Sequence, residues 1–301
     1  MEIKRVIPSG YCKGVVRAVM MAKKARKDHP GEKIYVLGRI VHNRYVAEAL
    51  ELYDIKTLEG GASREEMLEQ IEEGIVIFSA HGISAAIKQK ALDKGLKVID
   101  ASCEDVIATQ ELIKKKLAEG YKVLYIGKKK HPEAEAVLSI SEAISPVYSL
   151  EDIAKIDAKG KIFVTNQTTM SLFEVRDLFA AIAERFPEAE FEKEICSATT
   201  QRQQAVIDLK DADLLIVVGD PGSNNSNKLR EIGLKNGVKE AVMIEDASGL
   251  QEDWLKGKEK VYVTAGASTP PYLTDQVIAT LKKYAETGIL EKTSIEISKI
   301  L

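Results

Sequence analysis

The sequence predicts an α/β fold of three pseudo-threefold-related lobes, each a small, mostly parallel sheet flanked by helices, around a common centre. Three observations predict it. Apolar strand-type runs alternate with helix-type segments along the chain, the pattern of parallel sheets with right-handed crossovers. The three cysteines, at positions 12, 103 and 196, stand roughly ninety residues apart, a spacing that suits one repeated unit each. Each cysteine is also followed, at similar distances, by two polar loops. His42, His131 and Asn225 mark the first loop of each pass, and His81, Thr168 and Ser268 mark the second.

Composition bounds this reading. A chain of 301 residues, 45% hydrophobic and 30% charged, can bury a large core and is ordinary for a globular protein. No apolar run is long enough to span a bilayer, and Met1-Glu-Ile-Lys-Arg5 begins as a strand where a signal segment would be apolar. A cytoplasmic protein with reduced thiols and no membrane partner is therefore expected. With 43 basic and 46 acidic residues the net charge is −3, which offers no global basic field for nucleic acid. The lysine triplets at 114–116 and 128–130 read as solvated faces, the second close enough to His131 to help attract an anion.

Taken in order, residues 3–7 read as a strand that leads to Cys12. Apolar residues at 15, 16, 19 and 22 predict a helix over 15–28, stopped by Pro30-Gly31. A strand at 33–37, the loop with His42, a helix at 44–51, a short strand at 53–56 and a helix at 63–72 follow. The strand 75–78, the loop with His81, a helix ending at 94 and the strand 96–100 then lead into Cys103. The second pass repeats this order: helix to 119, strand 122–126, the His131-Pro-Glu133 loop opening a helix, a short strand near 146–148, strand 161–164, the Thr168 loop and a helix. Its last strand, 191–195, leads into Cys196. The third pass has a helix at 202–209, strands at 214–218, 241–244 and 260–263, the loop 219–227, the Ser268 loop and a long helix to 285. It lacks a final strand, which residues 2–7 are expected to supply. The lobes are thus 13–102, 103–195, and 196–286 with 1–12; residues 287–301 form a tail with one strand at 294–297.

In open parallel sheets, ligands bind at the carboxyl ends of the strands, where these loops lie. Cysteines at equivalent positions in three passes favour a shared metal centre over three small buried hydrophobes. The local C-x2-C pairs of structural zinc are absent, whereas three cysteines for four irons leave one iron open to a substrate. His42, His81 and His131, with Thr168, Ser223, Asn225 and Ser268 at predicted helix N-termini, suit a phosphate or diphosphate; any one of the latter four taken alone reads as an N-cap. His29, the fourth histidine, lies at a helix end. Glu133 is an acid in the first turn of a helix with Pro132 at its start, and beside a reacting substrate it is a candidate proton donor. Neither a G-x-G-x-x-G loop nor a P-loop lysine occurs, so neither a nicotinamide nor ATP is indicated.

Gly-Tyr-Cys12-Lys-Gly-Val-Val-Arg-Ala, Ile-Val-His42-Asn, Phe-Ser-Ala-His81-Gly, Asp-Ala-Ser-Cys103, His131-Pro-Glu133, Gln-Thr168-Thr169, Ile-Cys196-Ser-Ala-Thr-Thr-Gln-Arg-Gln, Ser223-Asn-Asn225-Ser-Asn-Lys-Leu-Arg-Glu and Thr-Ala-Gly-Ala-Ser268-Thr-Pro occur in this order. Over residues 5–280 the chain resembles the 4-hydroxy-3-methylbut-2-enyl diphosphate reductase (IspH or LytB) family. The resemblance implies the last step of the methylerythritol phosphate route to isoprenoids, reductive loss of an allylic hydroxyl to give isopentenyl and dimethylallyl diphosphates. It implies a [4Fe-4S] cluster on Cys12, Cys103 and Cys196, and an allylic diphosphate among His42, His81, His131, Thr168, Ser223, Asn224, Asn225 and Ser268. Protons would come from Glu133 with Thr168 and His131, and electrons from a ferredoxin or flavodoxin. A monomer or weak homodimer is expected. Lys13, Val16, Glu104, Asp105, Lys130, Ala136 and Asn224 depart from the family pattern. They leave open a paralogous iron–sulfur reductase with a different substrate, and a non-catalytic iron–sulfur sensor is the alternative of another class.

Overall fold

Strands such as Leu214–Val218 (LLIVV) and Ile75–Phe78 (IVIF) are apolar at every position and buried at every position. A strand covered by helices on both sheet faces has no solvent side to reserve for polar residues, so its sequence is a continuous apolar run. The structure, a computed structural model, describes residues 1–60, 63–157 and 159–301. Its first strand is β1 (Glu2–Arg5), followed by α1 (Lys13–Asp28), β2 (Ile34–Leu37), α2 (Arg44–Glu51), β3 (Ile55–Leu58), α3 (Arg64–Glu69), β4 (Ile75–Phe78), α4 (Ala85–Asp93) and β5 (Lys97–Asp100). The next pass comprises α5 (Glu104–Ala118), β6 (Lys122–Ile126), α6 (Pro132–Leu138), β7 (Ile144–Val147), α7 (Leu150–Lys155), β8 (Ile162–Asn166), α8 (Leu172–Arg185) and β9 (Glu190–Phe191). The last holds α9 (Ser197–Ile207), β10 (Leu214–Val218), α10 (Asn224–Lys235), β11 (Ala241–Ile244), α11 (Glu252–Leu255), β12 (Lys260–Ala265) and α12 (Pro271–Thr287).

Among the described residues these strands form three four-stranded sheets, ordered β3-β2-β4-β5, β7-β6-β8-β9 and β11-β10-β12-β1. The order is the same each time. The first strand after a cysteine has the second on one side and the third on the other, and the last strand is the one that leads to the next cysteine. The first strand of the chain completes the third sheet, as expected: Glu2 to Arg5 run parallel to β12 with Glu2 opposite Lys260 and Arg5 opposite Val263. The order in which successive strands are laid across the sheet reverses between the first and third strand of each sheet, the place where parallel sheets open a crevice for ligands.

By contacts the chain forms two compact units. One comprises Met1–Lys23, Val41–Thr57 and Ser197–Leu301, and its core holds Leu215, Val217, Val261, Val263, Leu273 and Val277. The other comprises Lys24–Ile40 and Leu58–Cys196. In that unit alternate residues of β6 serve opposite faces of one sheet. Leu124 and Ile126 pack with Val164, Val175 and Ile182, while Val123 and Tyr125 pack with Ile113, Val137 and Phe163. A second core in the same unit gathers Leu37, Leu68, Val76 and Phe78. Among the described residues no helix is long and apolar enough to cross a membrane.

Several elements differ from the expectation, among them α7 and α11, which fall where no helix is expected. α9 begins at Ser197 where apolar spacing suggests Arg202, because three of the four residues it buries, Thr199, Arg202 and Gln203, are polar and the apolar one, Val206, comes last. β9 ends at Phe191 where a strand to 195 is expected; the backbone of Glu194 is bound instead by the Asn166 side chain, N to Oδ1 3.1 Å. The tail carries a short 3-10 turn at Ile297–Lys299 in place of a strand.

Candidate active site

Each cysteine is fastened by its backbone to the second polar loop of the sheet that precedes it. Cys12 N donates to Ala267 O at 3.0 Å, Cys103 N to Ala80 O at 2.9 Å, and Cys196 N to Thr168 O at 3.1 Å. Each cysteine also immediately precedes a helix (α1, α5 and α9), so the positive end of a helix dipole lies behind it. None is in a disulfide, and all three are partly exposed. Cys103 occupies the N-cap position of α5 without capping it through its side chain, which leaves the sulfur for other partners. Within either unit, among the described residues, no three His, Cys, Asp or Glu side chains gather as the ligands of one metal ion would.

The unit made of residues 24–40 and 58–196 holds Cys103, Cys196, His81, His131, Glu133 and Thr168. His131 caps α6: its Nδ1 accepts the backbone N–H of Glu133 at 3.2 Å. A ring nitrogen that accepts carries no proton, so His131 is neutral with its hydrogen on Nε2. Glu133 is 1% exposed. Its Oε1 accepts from Thr168 N at 2.8 Å and its Oε2 from Thr168 Oγ1 at 2.9 Å. Burial lifts its carboxyl from 4.5 to about 7 against the pull of these hydrogen bonds, and the Asp105 charge adds to the rise. Tyr125 stands beside it. The Tyr125 hydroxyl is close enough to Glu133 to favour its ionised form, without a hydrogen bond of standard geometry. His81 and His131 meet edge to face, ring centroids 5.8 Å apart.

Cys12, His42, Ser223, Asn224, Asn225 and Ser268 belong to the other unit. Ser223 caps α10, where its Oγ accepts from Ser226 N at 3.3 Å and from Ser226 Oγ at 3.0 Å. Its own hydroxyl hydrogen is thereby left to donate outward. Asn224 is buried in the first turn of that helix. Asn225 is 4% exposed, and among the described residues neither its amide nitrogen nor its oxygen has a hydrogen-bond partner. An orphaned buried amide is costly and is the signature of a place made for a polar ligand. Ser268 Oγ donates to His42 O at 2.8 Å, tying the His42 and Ser268 loops together. Asp220 fastens the same region, its Oδ2 accepting from Arg44 N at 3.0 Å and its Oδ1 from Gly222 N at 2.7 Å. Arg202 reaches from α9 to Gly10 O at 2.6 Å and steadies the turn before Cys12.

Ser226 packs against Gly219 and Gly266, at the ends of β10 and β12, so closely that a Cβ on either glycine would collide with it. Gly266→Ala is therefore expected to destabilise the protein by ~1–3 kcal/mol, read as a lower denaturation midpoint. Ser226→Ala in the same chain should recover part of that loss, because the nearest remaining side-chain atom, the Cβ of residue 226, lies 3.2 Å from the new methyl group.

Among the departures from the family pattern, Lys13 is exposed, and so are Glu104 and Asp105 on α5. Asp105 Oδ2 nevertheless lies 3.9 Å from Cys103 Sγ. Lys130 is held in the left-handed region at φ 60°, a conformation that a lysine adopts at a cost and a glycine does not. Sequence reasoning missed Tyr125, Arg202 and Asp220, together with Arg64 and Ser79 under the His81 loop. Arg64 and Tyr125 lie on a helix and a strand without a polar-loop signature, whereas Ser79 and Arg202 lie within the quoted motifs and Asp220 within the loop 219–227, beside residues of more evident chemistry.

Residues 3–282 match the family profile described as LytB protein. The 4-hydroxy-3-methylbut-2-enyl diphosphate reductase of Bacillus cytotoxicus is 47% identical over 308 residues, covering 100% of this chain and 98% of the relative. That of Bacillus cereus is 49% identical over 288 residues, covering 94% and 91%. Among solved structures, the E-1-hydroxy-2-methyl-but-2-enyl-4-diphosphate reductase of Plasmodium falciparum superposes with a TM-score of 0.87 at 31% identity, over 93% of this chain and 87% of that one. A second, (E)-4-hydroxy-3-methyl-but-2-enyl diphosphate reductase, described as the terminal enzyme of the non-mevalonate pathway, gives 0.67 at 31% identity over 94% and 100%. With its three like-ordered sheets, its cysteine-bound loops and relatives of this identity over their whole length, the chain belongs to the LytB protein family.

Proposed function

We propose that the chain reductively removes the allylic hydroxyl of (E)-4-hydroxy-3-methylbut-2-enyl diphosphate, giving isopentenyl and dimethylallyl diphosphates and water with two electrons and two protons. The observation that carries this reading is the bond between Cys196 N and Thr168 O. It joins the backbone of a cysteine to the residue that holds the buried carboxyl of Glu133. Cys12, Cys103 and Cys196 would hold a [4Fe-4S] cluster. The donor set fits that group, because it is soft sulfur, undisulfided and partly exposed at helix starts. When bound, the cluster supplies the electrons and polarises the departing hydroxyl.

The chain's own residues bind the substrate and manage its protons. Ser223 offers a hydroxyl hydrogen, Asn225 an unpaired amide and His131 an Nε2–H, all donors suited to phosphate oxygens. His42, His81, Asn224 and Ser268 complete the diphosphate site in this proposal. Glu133, protonated below about 7, holds a proton on a carboxyl oxygen where bulk water does not reach. Thr168 Oγ1 and His131 carry it toward the leaving oxygen and the allylic carbon. A ferredoxin or flavodoxin would deliver the electrons in the cytoplasm.

Anaerobically purified protein with a reconstituted cluster should consume the hydroxylated allylic diphosphate when given a reduced viologen. A full cluster with no turnover of that substrate would reject the reading in favour of a paralogue acting on a different anion. Asn225→Ala should raise KM roughly tenfold, the scale of a lost hydrogen bond to a charged group, with kcat little changed; steady-state kinetics at saturating reductant checks it.

A further inference from the structure

Arg64 opens α3, a helix pinned by a capping box in which Ser63 Oγ accepts from Glu66 N at 3.2 Å and Glu66 Oε2 from Ser63 N at 2.8 Å. From there its side chain runs inward. The guanidinium donates to Gly82 O at 2.6 Å and to Ser79 Oγ at 2.9 Å, straddling the loop with His81 between the two contacts. Part of the side chain stays at the surface, yet burial of its charged end lowers its pKa to about 10, with Glu135 the charge that opposes this. A cation taken from water to serve two uncharged oxygens of one short loop is unfavourable on its own account. Its place asks for a role in what that loop does.

The hydrogens can be assigned in turn. A guanidinium only donates, so Ser79 Oγ accepts from Arg64. Ser79 is 0% exposed, so its hydroxyl hydrogen needs an acceptor inside the protein, and His81 Nδ1 lies 3.2 Å away. A ring nitrogen that accepts this hydrogen leaves the imidazole proton on Nε2, at the far side of the ring. His131 reaches the same state by another route, through the N–H of Glu133. Two neighbouring rings, 5.8 Å apart, thus carry the same tautomer.

We propose that Arg64, acting through Ser79, is a positioning residue that holds His81 neutral with its proton on Nε2, ready to donate to a phosphate oxygen. The proposal rests on the reading of His81 as a diphosphate ligand. Arg64 itself touches no substrate; it occupies one of the two lone pairs of Ser79 Oγ and fixes the hydroxyl in place, and the buried serine hydrogen finds its acceptor in the histidine.

With four histidines in the chain, long-range proton–nitrogen spectra of the anaerobic holoprotein labelled at histidine nitrogen resolve each ring. Wild-type His81 should show its proton on Nε2. Ser79→Ala should put His81 into exchange between tautomers and weaken binding of inorganic diphosphate roughly tenfold, with KM rising and kcat little changed. Arg64→Gln should shift the same signals, and Arg64→Lys, which keeps the charge but not the fork, should fall between it and wild type. Ser79→Ala leaves Arg64 in place, so the test does not depend on the arginine variants folding. A wild-type proton on Nδ1, or an unchanged tautomer in Ser79→Ala, overturns the proposal. A shifted tautomer with unchanged diphosphate affinity upholds the positioning role and overturns instead the assignment of His81 as a phosphate ligand.

Discussion

Glu133→Gln is expected to lower turnover by ~10²–10⁴-fold, the usual contribution of a general acid, with iron and sulfide content unchanged. The glutamine keeps the acceptor that Thr168 N uses, and Thr168 Oγ1 can accept from the new amide, so the loop geometry survives while the transferable proton is lost. The pH dependence separates this from a structural effect. Because burial raises the Glu133 carboxyl to about 7, the wild-type rate should be level below that pH and fall about tenfold per pH unit above it; the residual rate of the variant should lack this inflection. Stability moves the other way. A carboxyl whose folded-state value is raised contributes stability that is complete below the ordinary 4.5 and is lost as pH climbs through about 7. The uncharged glutamine does not carry this penalty, so the variant should be more stable at pH 8, by up to the order of 3 kcal/mol. A variant that is slower but sturdier is the mark of a residue kept for chemistry at a cost to the fold.

Replacing Cys12, Cys103 or Cys196 by serine is expected to abolish the visible absorption of the reconstituted cluster and reduce turnover by more than ~100-fold, beyond the loss of a merely supporting group. The hard hydroxyl of serine is a poor substitute for thiolate toward iron–sulfur centres. Each substitution preserves the backbone N–H that binds Ala267, Ala80 or Thr168, so far-ultraviolet circular dichroism should not change. Lys13→Ala, next to Cys12 but with an exposed side chain, should leave iron content as it is. Full cluster content in any one of the three serine variants would remove that cysteine from the ligand set.

Much of this was legible from the sequence because it repeats. The cysteine spacing and the two polar loops per pass recur three times, and the strand that the third pass lacks points to residues 2–7. What the repeat does not contain stayed hidden. Arg64 reaches Ser79 across 15 residues, and nothing local to either residue marks the pair. Asp220, Arg202 and Tyr125 are likewise polar groups buried one at a time, and hydrophobic periodicity is silent on them. The same silence delayed the expected start of α9, whose inward face begins with Thr199, Arg202 and Gln203 before it reaches Val206. The end of β9 escaped for a different reason: a side-chain amide, Asn166, replaced the backbone ladder.

The pairing of the first strand with β12 sets an order of events during synthesis. A ribosome delivers residues 24–196 long before Lys260, so the unit that carries Cys103 and Cys196 has all its segments while the other still lacks most of its own. Cys12 emerges first of the three cysteines, yet its turn waits for Ala267 and Arg202 to hold it. Closing a contact across nearly the whole chain is slow. The turn that carries Cys12 is thus completed only once residue 267 has emerged, and a chain cut short before residue 260 would keep all three thiols but lack the strand and loop that hold the first.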